Sequence, residues 1–179
     1  TGQDVNSVSI NPAFIDINID LQLSDYNGFN CPKVAEVLID IRNNSRSATT
    51  NMGCYEPFML DAALYRSDST PVSDVAYQTV PVSILLLNKG LDTLVSINIG
   101  WSFNGVNQTP ISGSGSLPTG NSTDIDLGNV TLLPGMNTVK VWINSVNGTN
   151  DQNANNDTSQ FIIYGCDSLL NGVYTVGSP

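Results

Sequence analysis

Histidine is missing altogether from this 179-residue chain. Without an imidazole there is no Ser-His-Asp triad, no histidine general base and no histidine-liganded metal. Charge is scarce as well, at 12% of residues, and what exists is one-sided: 6 Lys+Arg against 16 Asp+Glu, a net charge of −10. A nucleic-acid partner needs clustered Lys and Arg to neutralise phosphates, and an anionic membrane surface needs the same; both are excluded as partners. No apolar run approaches the ~18 residues that span a bilayer, so membrane insertion is not expected. No basic-then-apolar leader pattern stands at Thr1, as expected of a mature or excised chain. Only three cysteines are present, Cys31, Cys54 and Cys166.

In place of Lys and Glu, the polar positions carry Asn, Ser, Thr and Gly, which disfavour helices and favour strands joined by turns. Period two dominates the pattern. Val80, Val82, Ile84 and Leu86 form one stripe; Val95, Ile97, Ile99, Trp101 and Phe103 a second; Val139, Val141 and Ile143 a third. Such alternation marks half-buried antiparallel strands. Phe58, Leu60, Ala62 and Leu64 fit the same period. Turn signals separate the stripes: Asn88-Lys89-Gly90, Asn104-Gly105, Pro118-Thr119-Gly120, Pro134-Gly135 and Asn147-Gly148. Strands are predicted near 58–66, 79–88, 94–103, 106–112, 122–128, 137–144 and 159–164. Roughly seven short strands at this spacing predict an all-β fold, an immunoglobulin-like antiparallel sandwich over 57–164. Trp101 is expected to fill the core between its sheets.

The first 56 residues hold shorter strand candidates, Val8–Ile10, Phe14–Ile17, Asp20–Leu23 and Val37–Ile41, too few for an independent core. Residues 165–179 form another fragment. The expected organisation is one whole domain flanked by the end of one module and the start of another.

Particular motifs carry a resemblance. Asn11-Pro-Ala-Phe-Ile-Asp16, Asp20-Leu-Gln-Leu23, Asp40-Ile-Arg-Asn-Asn-Ser-Arg46 and Gly53-Cys-Tyr-Glu56 resemble, in order and spacing, the last coils of right-handed parallel β-helix modules of secreted bacterial proteins. Arg42-Asn43 departs from the usual Asp-Gly of that pattern, and Cys54 from its Ala. Leu87-Asn-Lys-Gly90, Trp101-Ser-Phe-Asn-Gly105, Leu117-Pro-Thr-Gly120, Leu133-Pro-Gly135 and Asn153-Ala-Asn-Asn-Asp157 resemble the Ig-like, CARDB-type adhesion modules of Bacteroidota surface proteins. Cys166-Asp-Ser-Leu-Leu-Asn-Gly-Val-Tyr-Thr-Val-Gly177 is similar to the segment that opens a following β-helix. The resemblance implies an extracellular, cell-surface protein built of modules, with neighbouring modules or further copies of the chain as partners. Val8–Leu23 and Gly172–Val176 would present strand edges to them.

Under that reading oxidation is permitted, and Cys31 and Cys54 are expected to form a disulfide worth about 3 kcal/mol in the chain-entropy model. The alternative is two buried thiols. The partner of Cys166 would lie downstream of Pro179, and no histidine exists to activate a catalytic thiol. Asp151, Asn153, Asn155 and Asp157 place oxygen side chains at alternate positions of one loop, a spacing that can contribute calcium ligands. The central Gly and closing Glu of an EF-hand are absent, and the competing reading is a hairpin whose Asn and Asp side chains bond their own backbone. Asp124 and Asp126 alternate with Ile125 and Leu127 and read as a solvated face. Tyr55, Tyr65, Tyr77, Trp142 and Tyr174 are candidates to stack on sugars. Trp142 is out of phase with Val139, Val141 and Ile143 and so points away from the core; the alternative is that it covers a sheet edge or a neighbouring module. Asn43, Asn107, Asn121, Asn129, Asn147 and Asn156 stand in Asn-X-Ser/Thr sequons, and the bacterial reading argues against their glycosylation.

The expected function is a non-catalytic structural or adhesive module, without a cofactor unless calcium is bound. The alternatives are a carbohydrate-binding module, or a fragment of a polysaccharide-acting β-helix enzyme. For the last, no acid pair stands in a recognisable motif, and a catalytic face needs several stacked coils.

Overall fold

The computed structural model describes residues 11–16, 20–23, 30–46, 49–51 and 55–167. Thirteen strands are formed and no helix, so the described chain is all-β. It divides into two compact units, Thr1–Pro57 and Phe58–Pro179.

In the first unit β1 (Phe14–Asp16) pairs with β2 (Asp20–Leu23), and β3 (Asn30–Pro32) with β4 (Thr49–Asn51), both antiparallel. Parallel stacking of coils is not seen among the described residues. The strand expected at Val37–Ile41 is replaced by a turn, with one isolated bridge between Ile39 and Ser45. Its cause is Asp40, whose Oδ1 accepts the N–H groups of Arg42 at 2.8 Å and Asn44 at 2.7 Å. Oδ2 accepts Asn44 Nδ2 at 3.0 Å and the Glu56 N–H at 2.9 Å. A carboxylate that captures the peptide groups two and four residues on competes directly with a strand ladder. Burial pushes the Asp40 pKa up, but these hydrogen bonds outweigh it and the net shift is downward. Asn43, where the resembling pattern has glycine, takes a positive φ of 66°, a conformation asparagine tolerates better than other side chains. Arg46 and Glu56 pair at 3.0 Å.

The second unit has two sheets. The larger has the order β10 (Ile111–Leu117), β8 (Leu94–Phe103), β12 (Gly135–Val146), β13 (Thr158–Cys166), β6 (Ser73–Val75), with β9 (Val106–Asn107) as a short addition to β8. The smaller has the order β11 (Ser122–Thr131), β7 (Thr79–Asn88), β5 (Ala62–Arg66). All ladders are antiparallel except β13 with β6, which is parallel. Both sheets feed one core. Val80, Val82, Ile84 and Leu86 meet Ile97, Ile99, Trp101, Val139, Val141 and Ile163 there. Trp101 is 4% exposed, and its Nε1 donates to the Thr109 carbonyl at 3.1 Å, as a buried indole requires.

Several expected boundaries shift for local reasons. The first strand begins at Ala62 rather than 58, because Gln152 Oε1 takes the N–H groups of Met59 and Leu60. Pro110, lacking an N–H, divides the strand expected at 106–112 into β9 and β10. Val95 leaves its expected inward stripe and is 52% exposed, whereas Leu94 is buried. There Asn147 Oδ1 accepts the N–H groups of both Val95 and Ser96, and the alternation slips. β6 carries no apolar stripe, and only its parallel pairing with β13 makes it a strand. β13 runs on through Gly165 and Cys166, where a fragment boundary was expected. At Gly165 a Cβ would collide with the Leu133 carbonyl oxygen, so only glycine fits.

Candidate functional site

Three features of the second unit gather the chemistry-bearing residues. The first is the outer face of the larger sheet. Val139 and Val141 of β12 are fully buried, which sends Lys140 and Trp142 outward. Trp142 stands opposite Gly100 in the ladder, and its ring lies over that glycine. A Cβ there would collide with Cε2 and Nε1 and sit 2.7 Å from Cζ2. The Trp142 Nε1 donates to Asn144 Oδ1 at 3.0 Å. Asn144 Nδ2 donates to Asn98 Oδ1 at 2.7 Å, and Asn98 Nδ2 to Ser112 Oγ at 2.8 Å. Asn144 can join this row because the register shifts between Ile143 and Ser145, leaving it as the extra, unpaired residue of a bulge. The expected outward placement of Trp142 is what the structure shows. The amide row was missed in the sequence; its only sign there was asparagine at two adjacent strands' outward positions, and the bulge that aligns them has no sequence mark.

The second feature is the loop from Asp151 to Asp157. Asp151 Oδ2 accepts the Ala62 N–H at 2.6 Å and Oδ1 the Asn153 N–H at 2.7 Å. Asn153 and Asn156 donate their amides to the two oxygens of Asp61, at 3.0 and 2.7 Å. Asn155 is exposed. Of the four expected calcium ligands, the structure thus engages Asp151 and Asn153 in hydrogen bonds within the protein. It adds a third carboxylate, Asp61, from far earlier in the chain. Oxygens of Asn156 and Asp157 in this loop are buried without a hydrogen-bond partner. Desolvation first, then the charges of Asp151 and Asp61, push the Asp157 pKa up to about 6. Desolvation likewise raises that of Asp151. Among the described residues no group of three or more acidic or cysteine side chains is arranged to hold a metal ion.

The third feature is a slot of about 430 Å³ between β10 and β11, the facing edges of the two sheets. Leu86, Leu94, Ile97 and Ile125 give it an apolar floor. It exists because β10 reads Ile111-Ser-Gly-Ser-Gly-Ser-Leu117. Ile111 and Leu117 pack on the core, but between them stand Gly113 and Gly115, and a Cβ on Gly115 would meet nothing within 4 Å. Asp124 and Asp126 on β11 are exposed, as expected; Asp124 accepts Ser69 Oγ at 3.3 Å and Asp126 the Gly128 N–H at 2.8 Å.

Among the remaining expected residues, Tyr65 and Tyr77 are exposed and Tyr55 carries Arg42 over its ring at 4.5 Å. Cys31 is half-buried and Cys166 exposed. Cys54 and Tyr174 lie outside the described residues, as do the strand at Val8–Ile10 and the edge at Gly172–Val176; the expected Cys31–Cys54 pairing falls there with them. No helix among the described residues is long and apolar enough to cross a membrane.

No protein-family model and no curated protein matches the chain. Among solved structures, it is similar to the CARDB domain of a Pyrococcus furiosus protein in complex with di-metal ions, at 17% identity and a TM-score of 0.51, covering 62% of this chain and 98% of that one. It also matches residues 272–376 of a Methanosarcina acetivorans protein whose name provisionally places it at the cell surface, at 24% identity and TM-score 0.44, over 63% and 94% of the two chains. A β-glucosidase from Listeria innocua aligns at 14% identity and TM-score 0.37, over 78% of this chain but 22% of the enzyme. The first likeness establishes the fold alone: an Ig-like, CARDB-type arrangement of strands.

Proposed function

We propose that the chain is a non-catalytic structural and adhesive module of an extracellular bacterial surface protein, of the modular kind found in Bacteroidota, which spaces and joins neighbouring modules or further copies. The observation that carries this reading is the outer edge of β10, which pairs with no further strand among the described residues. Between Ile111 and Leu117 it holds no charged residue and no proline, two of the devices by which soluble proteins block strand addition; a third, the bulge, is present only toward its end, where the register with β8 shifts between Ser114 and Leu117. It also borders an apolar slot that side chains of an added strand would fill. The flanking segments, with their β-helix-like motifs, would be the continuations into adjoining modules. Catalysis is not part of the reading: histidine is absent, and the slot is lined by a single acid, Asp124. The 151–157 loop serves as a clasp on residues 59–62 at the start of β5, since Asp151, Gln152, Asn153 and Asn156 each bond a group there.

Light scattering with amide exchange tests the reading. The expected result is concentration-dependent association that slows exchange at residues 111–117 and is lost in Ser114→Lys. A chain that stays monomeric at high concentration, with exchange at β10 unchanged, would overturn it. A carbohydrate ligand is the second reading, and the geometry of Trp142 favours it.

A further inference from the structure

We propose that the outer face of the larger sheet binds a neutral polysaccharide of β-linked hexopyranose units with equatorial hydroxyls, with Trp142 as the stacking platform. This names a ligand for the adhesive module proposed above and rests on that reading only for its extracellular setting. The ring is seated on Gly100, where any side chain would collide with it. A ring pressed onto backbone lies along the sheet, and Trp142 is only half-buried there. Its Nε1 is tied to Asn144 within the protein, so the platform is held in one orientation before a ligand arrives. Little conformational freedom is then left to lose on binding.

A flat π-face is matched by the C–H face of a pyranose: with every hydroxyl equatorial both faces of the sugar ring present axial C–H bonds, whereas an axial hydroxyl obstructs the face from which it projects. The hydroxyls then project sideways, and the structure places partners for them there. Asn144, Asn98 and Ser112 run from the indole across β8 to β10, two strand spacings or about 10 Å. In this row each amide gives one N–H to its neighbour, leaving a second N–H and a carbonyl lone pair for a ligand. A row of amides beside a fixed aromatic ring suits a chain of hydroxyl-bearing units better than a protein strand, because β8 and β12 are interior strands whose backbone groups are already paired.

Charge argues for a neutral ligand. Across β10, β8, β12 and β13 the only charged side chain is Lys140, while the chain as a whole carries −10 and would repel a polyanion.

Cellohexaose titrated into the full chain, followed by calorimetry and tryptophan emission, is the test. Trp101 is sealed in the core, so an emission change reports Trp142. The expected result is saturable binding, weakened at least ~10-fold in Trp142→Ala and about 3-fold in Asn144→Ala, which keeps the ring but frees it, with circular dichroism unchanged. Polygalacturonate is expected not to compete. Absence of saturable binding, undiminished binding in folded Trp142→Ala, or tighter binding of polygalacturonate would overturn the proposal. If Trp142→Ala fails to fold, Asn144→Ala and Asn98→Ala decide in its place, and unchanged affinity in both would overturn it. Ser114→Lys, which disables the β10 edge, is expected to bind cellohexaose normally, so failure of the assembly reading and failure of this one are separately visible.

Discussion

At the residue scale, the buried side chains are of two kinds. Trp101 is an apolar anchor with one polar atom, and that atom is satisfied by the Thr109 carbonyl. Trp101→Ala leaves a large cavity between two sheets and is expected to cost about 3–5 kcal/mol by chemical denaturation; a loss below about 1 kcal/mol would remove it from the core. Asn88 and Asn137 are equally buried but polar, and each acts as a staple. Asn88 Nδ2 donates to the carbonyls of Asp92 and Leu117 at 2.9 and 2.8 Å, and Asn137 bonds both the N–H and the carbonyl of Leu133. Asp157 is the opposite case, a carboxylate whose neighbours are hostile. Its folded pKa of about 6 stands above the ordinary 3.8, so the folded state holds the proton more tightly than the unfolded chain. The stability this confers is complete below about pH 4 and is lost as pH rises through 6; Asp151 shifts in the same direction. Thermal melts are therefore expected to show a higher midpoint at pH 4.5 than at pH 7 for the second unit. Asp157→Asn is expected to raise the pH 7 midpoint and flatten the difference. An unchanged pH profile in that variant would show that Asp157 carries no such burden.

At the element scale, what succeeds or fails in the strand pattern depends on whether neighbours perturb it. β7 alternates without interruption and is buried at Val80, Val82, Ile84 and Leu86 as its stripe demands. The Asn104-Gly105 and Asn147-Gly148 turns both adopt paired positive φ angles, 48° and 79°, and 48° and 74°, the signature of two-residue hairpins. β8 slips at Val95 because a side chain fifty-two residues on takes its amide, and no local pattern announces that. β10 is the weak element: its glycines leave the slot open. Since Gly115 has a φ ordinary for any residue and free space around its Cβ position, Gly115→Val is expected to fill part of the slot. A rise in stability of about 1 kcal/mol by urea unfolding would follow, whereas destabilisation would mean that the slot is already occupied by structure.

At the scale of the molecule, the second unit owns its core: every residue of the central cluster lies between Ala62 and Ile163. Residues 58–167 alone are therefore expected to melt cooperatively with Trp101 emission characteristic of a buried indole, and a fragment that stays unfolded would show that the first unit is needed for folding. The sequence by itself determined the all-β class, the position of nearly every strand of the second unit, its hairpin turns, the burial of Trp101 and the outward placement of Trp142. These follow from side-chain period and turn chemistry, which act over a few residues. Only the tertiary structure decided the rest. It brought Asp61 to Asp151 and Asp157 across ninety residues, laid Trp142 on Gly100, aligned Asn144 with Asn98 through a bulge, and set β10 against β11 across an unfilled slot. Each of these depends on which strands become neighbours and in what register, and a pattern with period two is the same whichever strand lies beside it.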